Sequence, residues 1–575
     1  MSAIAGIFGQ GSLEQVRTMV ARLNYRGPLH RVWSPAPDVY LGEAGHEIGD
    51  DESDRIAAST PEIRLRGADA NRKVLIEGSS RELFSILRSL RSDFSLAGVC
   101  EASGGSIVLA VDQMGYRSLY LMRLPNRWIF ASDYKALLAL EDCPAAVDRD
   151  VLQYYLRYGK CLAGESLLAG ARRLEPGQVV RLKAENCVIE SYIESATMKS
   201  VGSQPRSPRV IREKLESIVT RQLDGHARVA VTLSAGFDST ALVALVKHVR
   251  PDIDIASYTI GFGPDDPEIQ GARRSAEYFK TEHHEALFTN PDLERLLPLY
   301  VWLTEDLGGR GEAILQQQIA ERVAVRDRIV MAGHTADMIF CGMPRHRLLW
   351  IADRSPPPVR LALRELFEYT QIRTVPGTWL ARRLVKMAQG EEASEGPKIL
   401  GARTPEWPER LKTLDGYRSE HWVTDTFRYH DPAVDCNGLT MLSPFADPEL
   451  RDIALGLAGS SVVNWRQQKK ILRESMADLL PKFLLERPKA IQRLRQDDEL
   501  PKTLIRLAGF LDLDRSLTGR GLIEKNAADT VLRGQRGQYT KTALKDLWGL
   551  ICAELWMRTF CDRRGEASVK LTNAC

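Results

Sequence analysis

The stretch VTLSAGFDST, residues 231–240, joins an apolar run to a turn of small residues, and the helix-like run ALVALVKHV follows it. Small residues let backbone N–H groups approach an anion, and a helix N-terminus adds partial positive charge. Ser234 and Ser239 can donate hydroxyl hydrogen bonds to phosphate oxygens, and Asp238 suits a magnesium ion bridging them. The glycine spacing and the Gly-Lys-Ser/Thr ending of a Walker loop are missing. The stretch therefore predicts a strand–turn–helix phosphate site, although an ordinary junction capped by Asp238 has the same composition.

A second segment, RIVMAGHTADMIFCG (328–342), has the same layout. A short strand ends in the small residues Ala332 and Gly333, and Asp337 lies near the start of a helix. Because parallel strands end at one edge of their sheet, Asp238 and Asp337 are expected to face the same ligand. Two carboxylates there suit a magnesium–pyrophosphate leaving group, whose charge must be neutralised.

The chain divides by pattern into two halves. At 575 residues it is too long for a single core. Short strands broken by Gly, Asp and Ser come first, and alternating strands and helices, typical of a parallel sheet covered on both faces, come second. The predicted parts are a sheet-rich domain (1–195), a polar linker (196–208) and an α/β domain (209–575) that contains an irregular insertion (351–410) and a helical C-terminal extension (495–575).

Composition excludes several classes. The formal net charge of +3 gives no general reason for nucleic-acid or membrane binding, and no apolar run approaches the length of a membrane span. The nine cysteines are scattered without a C-x-x-C pair, which argues against a zinc site or a disulfide framework. A cytoplasmic location fits best.

Five segments occur in the order of one known family. LSAGFDST resembles the Ser-Gly-Gly-x-Asp-Ser pyrophosphate loop of the asparagine synthetase family, with Ala235 in place of a glycine. The other four also resemble family segments: SYTIGF with TEHHE, AGHTADMIFCG, MLSPFADPEL, and KKILRESMADLLPKFLLERPK.

This resemblance implies an adenine-nucleotide α-hydrolase-like domain that uses ATP and Mg²⁺ to adenylylate a carboxylate. An amine then attacks the acyl adenylate. The matching positions are Leu233, Ile260 and Gly333 around the adenosine, Ser234, Gly236, Asp238 and Ser239 at the pyrophosphate, Asp238 and Asp337 at magnesium, and Lys469 and Lys489 at the phosphates and the developing charge.

The front part resembles the same family's glutaminase domain, which has an N-terminal-nucleophile fold. The segments IAGIFG, RLNYRGP, DQMGYRSLYL, FASDYKALLAL and RRLEPGQVVRL carry this similarity. Family members begin Met-Cys-Gly-Ile and use the cysteine to attack glutamine, whereas this chain begins Met-Ser-Ala-Ile. A hydroxyl without a dedicated base is a far weaker nucleophile than a thiol. We therefore expect a degenerate glutaminase domain, with Gly27 and Pro28 shaping a turn.

Loss of the glutaminase is typical of members whose substrate carries its own amine. Our leading interpretation is a lasso peptide cyclase, which would close a macrolactam between an Asp or Glu side chain of a precursor peptide and its N-terminal amine. A leader-binding protein and a leader peptidase would be its partners. A small-molecule amidoligase, either β-lactam synthetase-like or an ammonia-dependent asparagine synthetase, is the alternative. His334 is either the base for the amine or a loop-shaping residue, and Glu305 is a candidate to orient it.

Overall fold

A computed structural model describes most of the chain. The described residues are 2–46, 56–58, 80–90, 93–100, 106–193, 207–307, 312–372, 397–425, 427–485, 499–528, 531 and 541–566. The strands are β1 (Ser2–Gly9), β2 (Leu29–Ala36), β3 (Val39–Gly45), β4 (Ile56–Ala58), β5 (Ser95–Cys100), β6 (Ser106–Val111), β7 (Tyr120–Leu124), β8 (Arg127–Ala131), β9 (Ala171–Arg173), β10 (Gln178–Leu182), β11 (Cys187–Ser191), β12 (Arg228–Thr232), β13 (Asp254–Gly261), β14 (Glu282–Leu287), β15 (Ile329–Met331) and β16 (Thr440–Leu442).

Helices surround these strands and dominate the C-terminal part. They are α1 (Leu13–Ala21), α2 (Ser80–Ser89), α3 (Tyr134–Leu137), α4 (Arg149–Tyr158), α5 (Pro208–Gln222), α6 (Phe237–Val249), α7 (Pro267–Phe279), α8 (Asn290–Thr304), α9 (Glu312–Val323), α10 (Ala336–Ile339), α11 (Pro344–Arg354), α12 (Pro357–Ile372), α13 (Leu414–Asp425), α14 (Phe427–Cys436), α15 (Pro448–Leu455), α16 (Gly459–Val462), α17 (Lys470–Ser475), α18 (Lys482–Leu485), α19 (Glu499–Phe510), α20 (Leu513–Gly519) and α21 (Lys541–Trp556). Within the described ranges, no helix has both the length and the apolar character needed to cross a bilayer.

The front half is a sandwich of two antiparallel sheets. Their strand orders are β2-β3-β1-β8-β7-β9 and β11-β10-β6-β5-β4. Ile4 and Leu41 of the first sheet share a buried cluster with Ile107 and Val180 of the second. The sandwich confirms the predicted fold of this half. The strand-like segment RKVLIEG (72–78) lies outside the described residues.

Gly27 makes the predicted turn before β2. Its φ of 147° favours glycine, and a Cβ there would lie 1.9 Å from the carbonyl carbon of Gly45. Only a residue without a side chain fits so close to β3.

The second half is built on a parallel sheet with the order β14-β13-β12-β15-β16. Alternate residues of β12 point to opposite faces. Ala230 lies in a core cluster with residues of α8 and α9, whereas Val229 and Val231 lie in a cluster with residues of α5, α6 and α7. Helices therefore cover both faces, as the alternating pattern predicted.

The structure differs in part from the prediction where the predicted parts meet. Residues 196–206 of the predicted linker lie outside the described residues, and α5 begins at Pro208, with Ser207 as its N-cap. The Pro-rich start of the predicted insertion opens helix α12 rather than an irregular connection, because proline is well tolerated in the first helical turn. The described residues of the C-terminal extension are largely helical, as predicted.

Buried ion pairs join the two halves. Arg26 binds both carboxylate oxygens of Asp133, at 2.8 and 2.9 Å, and also reaches Asp435 of α14 at 2.6 Å. Arg117 binds the same oxygen of Asp435 at 2.7 Å and Asp93 at 2.7 Å. Burial raises the pKa of Asp435, but the charges of Arg117 and Arg26 outweigh it and hold the pKa below its usual value. We call Arg26, Arg117, Asp133 and Asp435 the junction cluster.

The junction cluster gives a stability test. Asp435→Ala leaves two guanidinium groups without this buried partner, so we expect a loss of about 3 kcal/mol in the free energy of unfolding, measured by urea denaturation. Glu213→Ala removes the partner of exposed Arg209 and should leave the midpoint nearly unchanged. Equal midpoints for the two variants would contradict the stabilising role of the cluster.

Candidate active site

The loop between β12 and α6 is organised by its two serines. The Ser234 N–H donates to Ser239 Oγ at 3.0 Å, and the two hydroxyl oxygens lie 2.7 Å apart. The Gly236 N–H donates to Ser234 Oγ, also at 3.0 Å. Gly236 is the N-cap residue of α6, which begins at Phe237, close to the predicted start. The loop thus has the small-residue turn and helix N-terminus that the sequence predicted.

A buried carboxylate binds the backbone of this loop. Glu268, in the first turn of α7, accepts a hydrogen bond from the Ala235 N–H at 2.9 Å. Asp266 caps α7 and accepts from the Glu268 N–H at 2.8 Å. Sequence reasoning missed Glu268, because no local pattern shows that an acid 33 residues downstream reaches the loop.

Asp238, Asp337 and Lys469 meet in one ion cluster, which we call the acid–lysine triad. The ammonium of Lys469 lies 2.5 Å from Asp238 Oδ1 and 2.5 Å from Asp337 Oδ1. Burial lowers the pKa of Lys469, but the two carboxylates outweigh this and raise it above its usual value. The structure therefore brings together the two predicted metal ligands and one predicted lysine.

Two glycines leave room for the side chains of the acid–lysine triad to lie this close together. A Cβ on Gly342 would lie 1.9 Å from Asp337 Oδ1 and 2.1 Å from Lys469 Cε. A Cβ on Gly333 would lie 3.3 Å from both Asp238 Cβ and the backbone nitrogen of Ser239. Gly342 was not singled out from the sequence, although it ends the quoted segment AGHTADMIFCG.

Arg473 adds a second positive group beside the loop. Its guanidinium carbon lies 4.5 Å from the centre of the Phe237 ring, and it donates to the carbonyl of Leu485. Burial lowers the pKa of Arg473. The other predicted lysine, Lys489, lies outside the described residues.

The predicted adenosine contacts lie at one edge of the parallel sheet. Leu233 follows β12, Ile260 is near the end of β13, and Gly333 follows β15. The Leu233 N–H donates to the Tyr258 carbonyl at 2.8 Å, which holds the ends of β12 and β13 together. These positions are neighbours because β12 pairs with both β13 and β15.

His334 lies at the same edge, with an apolar cavity behind it. The cavity encloses about 20 Å³, enough for one water-sized molecule, and Thr232, Ala332 and Val434 also line it. Desolvation lowers the pKa of His334 to about 4. The imidazole is therefore neutral at neutral pH.

Glu305 has a different place from the one considered in the sequence analysis. Its carboxylate accepts from the N–H groups of Tyr134 at 2.8 Å and Lys135 at 2.6 Å, and it pairs with the Lys135 ammonium at 3.4 Å. Burial raises its pKa to about 7. Both carboxylate oxygens are thus engaged with the front half of the chain, so Glu305 anchors α3 rather than orienting His334.

The donor set fits magnesium bound together with phosphates. Within the described residues, no group of three His, Cys, Asp or Glu side chains could form an all-protein metal site. Mg²⁺ usually takes one or two carboxylates plus substrate phosphates and water. Asp238 and Asp337 already hold one cation, the Lys469 ammonium, between them.

Comparisons with known proteins identify the family of this chain. Residues 210–558, more than half of the chain, match the family described as Asparagine synthase, and residues 67–193 match the Glutamine amidotransferase domain. A Mycobacterium tuberculosis protein named as a glutamine-hydrolysing asparagine synthetase is 24% identical over 495 residues, covering 80% of this chain and 75% of that protein. Asparagine synthetase 3 of Bacillus subtilis is 24% identical over 453 residues, covering 75% and 72%.

A protein named for a different reaction is also similar to this chain. The carboxyethyl-arginine beta-lactam-synthase of Streptomyces clavuligerus is 23% identical over 395 residues, covering 67% of this chain and 62% of that protein. Because the family model matches more than half of the chain, this chain belongs to the asparagine synthase family, whose members are ATP-dependent ligases that form amide bonds.

Proposed function

We propose that this ligase is a lasso peptide cyclase, which activates an Asp or Glu side chain of a precursor peptide and joins it to the peptide's N-terminal amine. The observation that carries this proposal is Ser2, which occupies the position of the family's nucleophilic cysteine at the start of β1. A chain that does not hydrolyse glutamine needs an amine from elsewhere, and an amine on the substrate itself meets that need.

The first step joins the carboxylate to AMP and releases pyrophosphate. The Ser234 and Ser239 hydroxyls and the N-terminus of α6 would bind the phosphates. Leu233, Ile260 and Gly333 would border the adenosine. Magnesium bound by Asp238 and Asp337 would neutralise the charge that builds up on the leaving pyrophosphate.

In the second step the amine attacks the acyl adenylate, the amide forms and AMP leaves. The amine must lose a proton, and His334 is the candidate acceptor at the sheet edge. Because its pKa lies near 4, its imidazole is unprotonated throughout the neutral range. Lys469 and Lys489 would stabilise the negative charge on the phosphates.

Helices α11 and α12 offer a surface for a peptide. Ile351, Val359 and Leu361 are 39%, 48% and 64% exposed. Where such groups form a contiguous patch, they are typical of interaction sites. Together with the C-terminal helices, they would hold a folded precursor while its ring closes, and a leader-binding protein and leader peptidase would deliver that precursor.

A small-molecule amidoligase is the second candidate. The Streptomyces clavuligerus relative is named for forming a β-lactam from carboxyethyl-arginine, a substrate that carries its own amine. The same active site could serve such a compound, or free aspartate with ammonia, so substrate identity distinguishes the candidates.

Substrate preference is the first test. A leader-free peptide with an internal Asp or Glu should release pyrophosphate with ATP and lose the mass of one water, whereas aspartate plus ammonia should not react. The matched control is the same peptide with its acid replaced by the corresponding amide. Equal pyrophosphate release with aspartate plus ammonia would refute the peptide proposal.

The roles of Asp238 and Ser2 can be separated. Asp238→Asn should lower pyrophosphate release by about 100-fold or more, because it removes charge that neutralises the leaving group. Asp265→Asn makes the same change at an exposed position and should have little effect. Ser2→Ala should also have little effect, and a large loss would show that the front domain still carries out chemistry.

The pKa of His334 predicts a pH profile. Since the lowered pKa keeps the imidazole neutral above about pH 4, ring closure should show no inflection near 6.5 and should instead follow the substrate's α-amino group, near 8. The measurement is the single-turnover rate of closure from pH 5 to 9. His334→Phe should slow closure more than activation. A wild-type inflection near 6.5 that disappears in this variant would contradict the lowered pKa.

A further inference from the structure

The acid–lysine triad has the geometry of an occupied cation site. Three segments distant in sequence supply it: the first turn of α6, the first turn of α10 and the residue before α17. Lys469 is 5% exposed and both carboxylates are at least partly buried, so solvent screens their interaction only weakly. One ammonium thus satisfies two carboxylates that would otherwise repel each other.

The same two carboxylates are the pair that fits magnesium. Carboxylate oxygens bind Mg²⁺ at about 2.0–2.1 Å, and they lie 2.5 Å from the Lys469 nitrogen. A metal bound to both oxygens would therefore lie close to where the ammonium now lies. Two cations so close together in a poorly screened site repel strongly.

We infer that Lys469 and the metal ion compete for the Asp238–Asp337 pair, so that Lys469 makes metal binding depend on the nucleotide. This inference rests on the proposed magnesium site. Without phosphates, the ammonium holds the carboxylates and weakens metal binding. With phosphates present, the displaced ammonium gains new anionic partners beside the loop, and the metal can enter.

The surroundings of Lys469 limit where it can move. The backbone of Gly342 closes one side, since even a Cβ there would lie 2.1 Å from Lys469 Cε. Lys469 has a φ of 54°, in the left-handed region that residues other than glycine rarely adopt. The surrounding structure therefore holds its backbone in this conformation. A turn of Lys469 from the carboxylates towards bound phosphates would therefore be a change of side-chain rotamer rather than a movement of α17.

Metal affinity without nucleotide tests this competition. The full-length protein is titrated with Mn²⁺ alone, with free Mn²⁺ measured by electron paramagnetic resonance. Lys469→Gln should bind Mn²⁺ at least 10-fold more tightly than the wild type, whereas Lys469→Arg, which keeps the charge, should not. Lys470→Gln removes the same charge from the adjacent residue and should leave the affinity unchanged.

The outcomes separate this inference from the proposed function. Unchanged or weaker Mn²⁺ binding by Lys469→Gln would show that the lysine does not compete with the metal. If the wild type does not bind Mn²⁺ even with ATP, the proposed metal site itself is refuted instead. Because neither measurement uses a peptide, both are independent of the identity of the ligase substrate.

A measurement on the wild type covers the case in which Lys469→Gln does not fold. The rate of chemical acetylation of Lys469, measured by mass spectrometry, should rise at least 3-fold when Mg²⁺ is added without nucleotide, because the displaced amine becomes accessible. A rate independent of Mg²⁺ at concentrations that saturate the site would overturn the inference.

Discussion

The contact between Lys469 and two aspartates determines how the active site is put together. Asp238 follows β12, Asp337 follows β15, and Lys469 comes from a segment more than a hundred residues further on. A parallel sheet places the first two at one edge, and the ion pair fixes the third against them. The glycine at 342 is then required by packing rather than by local conformation, since any side chain there would overlap both Asp337 and Lys469.

Features with a local cause could be predicted from sequence. The strand–turn–helix at 231–240 and the covered parallel sheet follow from periodicity and small residues, and both are found. The sequence did not predict strands β14 and β16. Because β14 is rich in charged and histidine residues and β16 has only three residues, each forms a strand through pairing with its neighbours rather than through its own residue pattern. Glu268 and Arg473 were missed for a related reason, because their roles depend on contacts between distant segments.

The junction cluster gives the front half a structural role. Arg26 and Arg117 come from the front half, and their shared partner, Asp435, lies on α14 of the second half. The neighbouring residue Val434 lines the cavity behind His334. The front half therefore supports one wall of the active-site region, and its removal would leave a buried carboxylate without its cations. Such a structural role does not require a working glutaminase.

The low pKa of His334 limits how the second step can proceed. A base with a pKa near 4 cannot take a proton from a free ammonium group, whose pKa is near 8. If His334 accepts the proton in the proposed second step, the attacking amine must therefore arrive neutral. Once the neutral nitrogen bonds to the acyl carbon it becomes positively charged, so its two protons become far more acidic, and a weak base is then sufficient to remove one of them. In the proposed reaction, His334 thus suits removal of the proton after attack.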